Sequence, residues 1–123
     1  MFNSEIFDNM VSTAKEILSD AQKSEYTQAV VFLTSSKKEY YVLINNALSP
    51  DKECEGDLVA NLKANDDTEI SYVLCMWHDE SVDLPSYDFR KMLLQMDERN
   101  ANAEIFVLTE SGYQTKPLEI TMK

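Results

Sequence analysis

Two cysteines, one histidine and several close carboxylate pairs are the residues of this chain that could do chemistry: metal binding, thiol attack or acid–base work. Cys75 and His78 stand three apart, the spacing of a zinc half-site. The run around Cys75, EISYVLCMW, reads as a strand, and positions i and i+3 of a strand face opposite ways. The pair can chelate only if the strand has ended before His78. In so apolar a run, Cys75 is expected to be a small buried hydrophobe. His78 has no second histidine to work with, which excludes HExxH-type zinc sites. It is expected as an exposed or capped imidazole at the strand-to-loop junction. No serine or cysteine has a histidine at the spacing of a known nucleophilic motif. Asp66-Asp67 and Asp79-Glu80 are adjacent in polar loops, where neighbouring carboxylates diverge into water rather than share a proton. Gly56 and Gly112 are the only glycines, so a GxGxxG or Walker-type phosphate loop cannot be built.

Composition narrows the class further. A chain of 123 residues is one domain, 1–123, with one core. Its formal charge of −11 repels phosphate and argues against nucleic acid as a partner. A hydrophobic content of 44% is the globular norm, which argues against global disorder. No apolar run approaches the roughly 18 residues of a membrane span. The first residues, MFNSEIFDNM, lack the basic region of a signal peptide, and two cysteines make no disulfide framework. A cytoplasmic protein with reduced thiols is therefore expected. The charge is concentrated: residues 51–88 hold eleven of the 22 acids and, in Lys52 and Lys63, two of the 11 bases. The plain explanation is solvated helix and loop faces; the sharper one is a surface suited to a basic protein partner.

These residues must be positioned by the elements around them. Residues 3–24 read as an amphipathic helix with Ile6, Phe7, Met10, Ala14, Ile17, Leu18 and Ala21 on one face and Asn3 or Ser4 as N-cap. QAVVFLT (28–34) and EYYVLINN (39–46) read as strands joined in an antiparallel hairpin by a polar cluster. Ser49-Pro50-Asp51 breaks the chain before a helix at about 52–65, with Cys54, Leu58 and Leu62 inward. Residues 69–77 read as a central strand, and HDESVDLPS as a loop. Ser86 caps a third helix, about 87–99, whose stripe is Phe89, Met92, Leu93 and Met96. Residues 103–109 read as another strand, Glu110-Ser111-Gly112 as a turn, and the tail as one more strand that Pro117 restricts to an edge. The order α-β-β-α-β-α-β, with a final strand, predicts an α/β fold: a three-layer α-β-α sandwich on a mixed sheet of about five strands.

This order, with functional loops at the starts of the second and third helices, resembles the zinc-dependent cytidine deaminases and the related blasticidin-S deaminases. In that family the second helix opens with Cys/His-Ala-Glu and the third with Pro-Cys-x-x-Cys-Arg. Here the third helix opens Pro85-Ser86-Tyr87-Asp88-Phe89-Arg90. Pro85, Arg90 and Leu93 match, while Ser86 and Phe89 stand where the zinc cysteines would be. The second helix opens Cys54-Glu55-Gly56: Cys54 matches a zinc ligand, and Gly56 takes the place of the catalytic glutamate. Ile44-Asn45-Asn46-Ala47 is similar to the segment that grips ribose and pyrimidine, with Asn46 and Ala47 matching, Asn45 in place of the ribose-binding glutamate and Leu43 in place of the first asparagine. Tyr26 falls where the family has a base-stacking phenylalanine.

The resemblance implies a vestigial active site at Cys54, Gly56, Ser86 and Phe89. It implies residual ligand-binding positions at Tyr26, Asn45, Asn46, Cys54, Glu55, Pro85 and Ser86. Glu55 cannot stand in for the missing glutamate, because one residue along a helix turns a side chain by about 100°. Zinc is expected to be absent, and with it deaminase activity. The expected function is that of a non-catalytic binding or assembly module, a homo-oligomer (dimer or tetramer) as is common in the family. Two alternatives stand beside it: an active nucleoside deaminase whose ligands lie elsewhere, and an acidic inhibitor or immunity-type protein for a basic partner.

Overall fold

The computed structural model describes residues 3–20, 27–44 and 52–122, and gives the backbone alone for residue 20 and residues 52–57. Helix α1 (Ser4–Asp20) is capped by Asn3, whose Oδ1 accepts the Ile6 N–H at 3.1 Å. Met10, Ala14 and Leu18, at i, i+4 and i+8, are fully buried. Strands β1 (Gln28–Thr34) and β2 (Glu39–Ile44) form the expected antiparallel hairpin. Helix α2 (Lys52–Ala64) buries Leu58 and Leu62. It ends in a Schellman motif: Asp67 N–H reaches Leu62 O, Asp66 N–H reaches Lys63 O, and Asp66 takes φ 51°. Strand β3 (Ile70–Trp77) follows, with β1 along one edge over its whole length.

Here the structure departs from the sequence reading. HDESVDLPS contains a two-residue strand, β4 (Val82–Asp83), which turns back on Cys75 and Met76. Helix α3 (Tyr87–Met96) stops three residues short of position 99 because Asp97 adopts an extended backbone, φ −157°. The Asp97 side chain then caps a 3-10 turn, Glu98–Asn102, by accepting the Arg99 N–H. Strand β5 (Glu104–Thr109) runs parallel to β3 but pairs only at Tyr72 and Val73, since β4 takes up the rest of that edge. Strand β6 (Gly112–Pro117) is an edge strand with Pro117 at its end, as expected, and a short helix α4 (Leu118–Thr121), absent from the sequence reading, closes the described chain.

The sheet order is β2-β1-β3-β5-β6, with β4 added to β3. It is the mixed sheet of the sequence reading plus one short strand, with helices on both faces. Alternation along the strands separates two apolar layers. Val30, Phe32, Val73, Cys75, Ile105 and Val107 pack with Leu58, Leu62, Phe89, Leu93 and Leu118 on the α2–α3–α4 side. Ala29, Val31, Leu74, Met76 and Phe106 pack with Met10, Ala14 and Leu18 on the α1 side. Buried polar residues tie the ends. Asn100 Oδ1 accepts the Ile70 N–H, and its Nδ2 donates to Thr68 O and Leu93 O, so one amide joins the start of β3 to the end of α3. Asp67 accepts from the Ser36 and Tyr40 hydroxyls, fastening the hairpin turn to the end of α2. Burial pushes its pKa up, but hydroxyl hydrogen bonds from Ser36, Thr34 and Tyr40 and the Lys38 charge outweigh that, leaving the carboxyl below its ordinary range. No helix among the described residues is long and apolar enough to cross a membrane.

Candidate functional site

Strand register places one end of the sheet together. Gln28, opening β1, lies opposite both Ile44 at the end of β2 and Trp77 at the end of β3. The chain leaving β3 turns through β4 and enters α3 at the same end. Helix α2 runs the other way from β2: Asp67, just beyond its C-terminus, is bonded to the hairpin turn at the far end of the sheet. The first turn of α2, which holds Cys54, Glu55 and Gly56, is therefore directed toward the end where β2 and β3 finish. Crevices beyond the carboxyl ends of strands, faced by helix N-termini, are the usual sites of α/β sheets.

The start of α3 is built by Pro85 and Ser86. Pro85 is buried. Ser86 is the N-cap, its Oγ accepting the Phe89 N–H at 3.2 Å. Phe89 is fully buried, and its ring stacks on Phe32 of β1 with centroids 5.5 Å apart and planes 8° from parallel. The first inward position of α3 is thus a core position, as its spacing from Leu93 predicts. Arg90 is half-buried and turns along the helix start, donating from Nε to Pro85 O at 3.0 Å and from Nη1 to Thr121 O at 2.6 Å.

The loop between β3 and β4 forms the other wall. Trp77 Nε1 donates to Asp83 Oδ2, and Asp83 Oδ1 accepts the Leu84 N–H, which braces the approach to α3. Asp79 accepts the Ser81 hydroxyl at 2.6 Å and the Ser81 N–H at 3.1 Å; these bonds hold its carboxyl below the ordinary range. Asp79 and Glu80 are both exposed, as loop residues are expected to be. His78 is half-buried rather than exposed, and its Nδ1 is buried without a hydrogen-bond partner among the described residues.

Cys75 and His78 do not form a half-site. The strand ends at Trp77 and His78 enters the turn, while Cys75 stays fully buried in the α2–α3 layer. Burial, with the nearby Asp83 charge adding to it, pushes the Cys75 thiol far above its ordinary range, so it is an inert core thiol. Among the described residues, no three His, Cys, Asp or Glu side chains are placed to hold a metal ion. Ser86 and Phe89 do not fit zinc: one hydroxyl is committed to a helix cap, and the other side chain is a carbon ring packed on carbon.

Of the sequence-predicted site residues, Pro85, Ser86 and Phe89 come together at the α3 start. Cys54, Glu55 and Gly56 lie in the first turn of α2, where only the backbone is described. Tyr26, Asn45 and Asn46, together with Ala47, lie outside the described residues, as does Ala21 of the α1 stripe. The sequence reading did not pick out Thr27 and Gln28, buried polar residues at the start of β1, nor Trp77 at the end of β3. Two polar residues opening an otherwise apolar strand were the available signal.

No protein-family model matches the chain, and no curated protein matches it in sequence. Solved structures do match. Cytidine deaminase from Mycobacterium leprae is 17% identical, covers 89% of this chain and 92% of its own, and superposes with a TM-score of 0.62. Cytidine deaminase from Mycobacterium tuberculosis is 13% identical with a TM-score of 0.65, over 94% of this chain and 92% of that one. A single-residue variant of the M. tuberculosis enzyme reaches 0.69 at the same identity, covering 94% and 93%. At these identities the likeness is one of fold: the chain has the cytidine-deaminase-like α/β fold over nearly its whole length.

Proposed function

We propose that this chain is a non-catalytic protein of cytidine-deaminase-like fold, without zinc, retained as a binding or assembly module. One observation carries the reading. At the start of α3, the two positions that the sequence resemblance matches to zinc cysteines hold a helix-capping serine and a fully buried phenylalanine stacked on Phe32. Zinc-dependent deamination needs a metal-activated hydroxide and a glutamate that moves its proton. A catalytic zinc takes three protein ligands, and Cys54 alone leaves two missing. Gly56, in place of the glutamate, has no side chain to carry a proton. The binding surface is the sheet end walled by Pro85, Ser86 and the β3–β4 loop. The assembly is a homo-oligomer, for which Tyr87 and Ile120, each more than half exposed, offer apolar surface.

A turnover assay with cytidine and deoxycytidine tests the reading. No deamination above the uncatalysed rate is expected. Turnover that persists through repurification and disappears in Cys54→Ala would establish the rival reading, an active deaminase with ligands placed elsewhere.

A further inference from the structure

Arg90 adds a polar link between two parts of the chain that otherwise meet only through the apolar layer shared by Leu118, Phe89 and Leu93. Its Nε donates to the carbonyl of Pro85, the residue before the α3 cap, and its Nη1 donates to the carbonyl of Thr121, which closes α4. Neither carbonyl belongs to a helical ladder, since the last carbonyls of a helix lack an i+4 partner and Pro85 precedes the first turn. The guanidinium also lies 6.0 Å from the centre of the exposed Tyr87 ring. No carboxylate pairs with Arg90 among the described residues. The α4 end of this link is anchored: Leu118 is fully buried and its N–H donates to Ala103 O at 2.8 Å. A planar fork of donors reaches two carbonyls at once, which a lysine ammonium on the same stem does not reproduce.

We propose that Arg90 makes residues 118–122 a strap on the candidate site, coupling the last helical turn to the Pro85–Phe89 wall so that release of one loosens the other. The proposal needs only that the α3 start walls the site, and it holds whether or not the chain is catalytic. Coupling of this kind is reciprocal: whatever tightens the site wall also holds the strap down.

Hydrogen exchange on the full chain, read by peptide, tests it. Leu118→Ala frees the strap's anchor and is expected to speed exchange at the Phe89 and Arg90 amides at least about five-fold, the lower range of measured couplings. The Thr34–Lys38 turn, at the far end of the sheet, should be unchanged. Leu118 also shares an apolar layer with Phe89. Leu118→Ala in an Arg90→Met background should therefore still speed exchange at the α3 start, but by less than it does with Arg90 in place. Arg90→Lys should behave as Arg90→Met does. If Leu118→Ala does not fold, Arg90→Met reads the coupling in the other direction, through faster exchange of the Met122 amide. An α3 start that ignores the strap, an effect undiminished by Arg90→Met, an equal rise in the hairpin turn, or rescue by lysine would each overturn the proposal.

Discussion

Phe89 and Ser86 hold the start of α3 in place, one as a core residue and the other as a helix cap. A buried ring stacked on Phe32 fills volume with dispersion contacts, and a serine at the N-cap satisfies one of the first-turn N–H groups. Phe89→Ala is expected to cost about 3–5 kcal/mol in chemical denaturation, the range for truncating a buried phenylalanine. A loss under about 1 kcal/mol would mean the ring carries no core packing. The inward direction of Phe89 was legible from its spacing to Leu93, because helix periodicity needs only sequence. The burial of Asn100 was not. An asparagine in a polar run gives no sign that its amide will join β3 to α3, since that depends on which backbone groups the fold leaves unpaired.

The elements were legible where apolar residues repeat. β1 spans 28–34 as read, and α1, α2 and β3 depart by a residue or so where they are described. Where local capping rather than periodicity decides, the reading failed: Asp97 ends α3 and starts a 3-10 turn, and β4 and α4 are too short to show a pattern. The turns have their own logic. In the β1–β2 reversal, Thr34 N–H bonds Lys38 O and Lys37 N–H bonds Thr34 O, with Lys37 at φ 68°. The β3–β4 reversal repeats this with Trp77, Ser81 and Glu80, the last at φ 69°. Both are three-residue hairpin loops whose third position favours glycine. In a chain with two glycines, a lysine and a glutamate bear the left-handed conformation. Lys37→Gly and Glu80→Gly are each expected to stabilise the fold by about 0.5–1 kcal/mol, the left-handed strain relieved less the added chain entropy. The check is a higher urea midpoint at unchanged slope; a lower midpoint would contradict it.

At the scale of the whole molecule, element order carried the architecture, and the solved cytidine deaminases superpose over 89–94% of the chain. The site was legible only in part. Its α3 half follows from a motif at helix spacing, but the neighbouring wall depends on how β4 wedges beside β3, which no local signal announces. The proposed reading rests on chemical content: a hydroxyl and a phenyl ring at the start of α3, and a glycine at position 56 of α2. The account therefore turns on zinc. Native mass spectrometry of the protein as purified without chelator reads chain number and bound metal in one spectrum. The account predicts a multiple of the 14.1 kDa chain mass with no zinc. One zinc ion per chain, lost on Cys54→Ala, would contradict it.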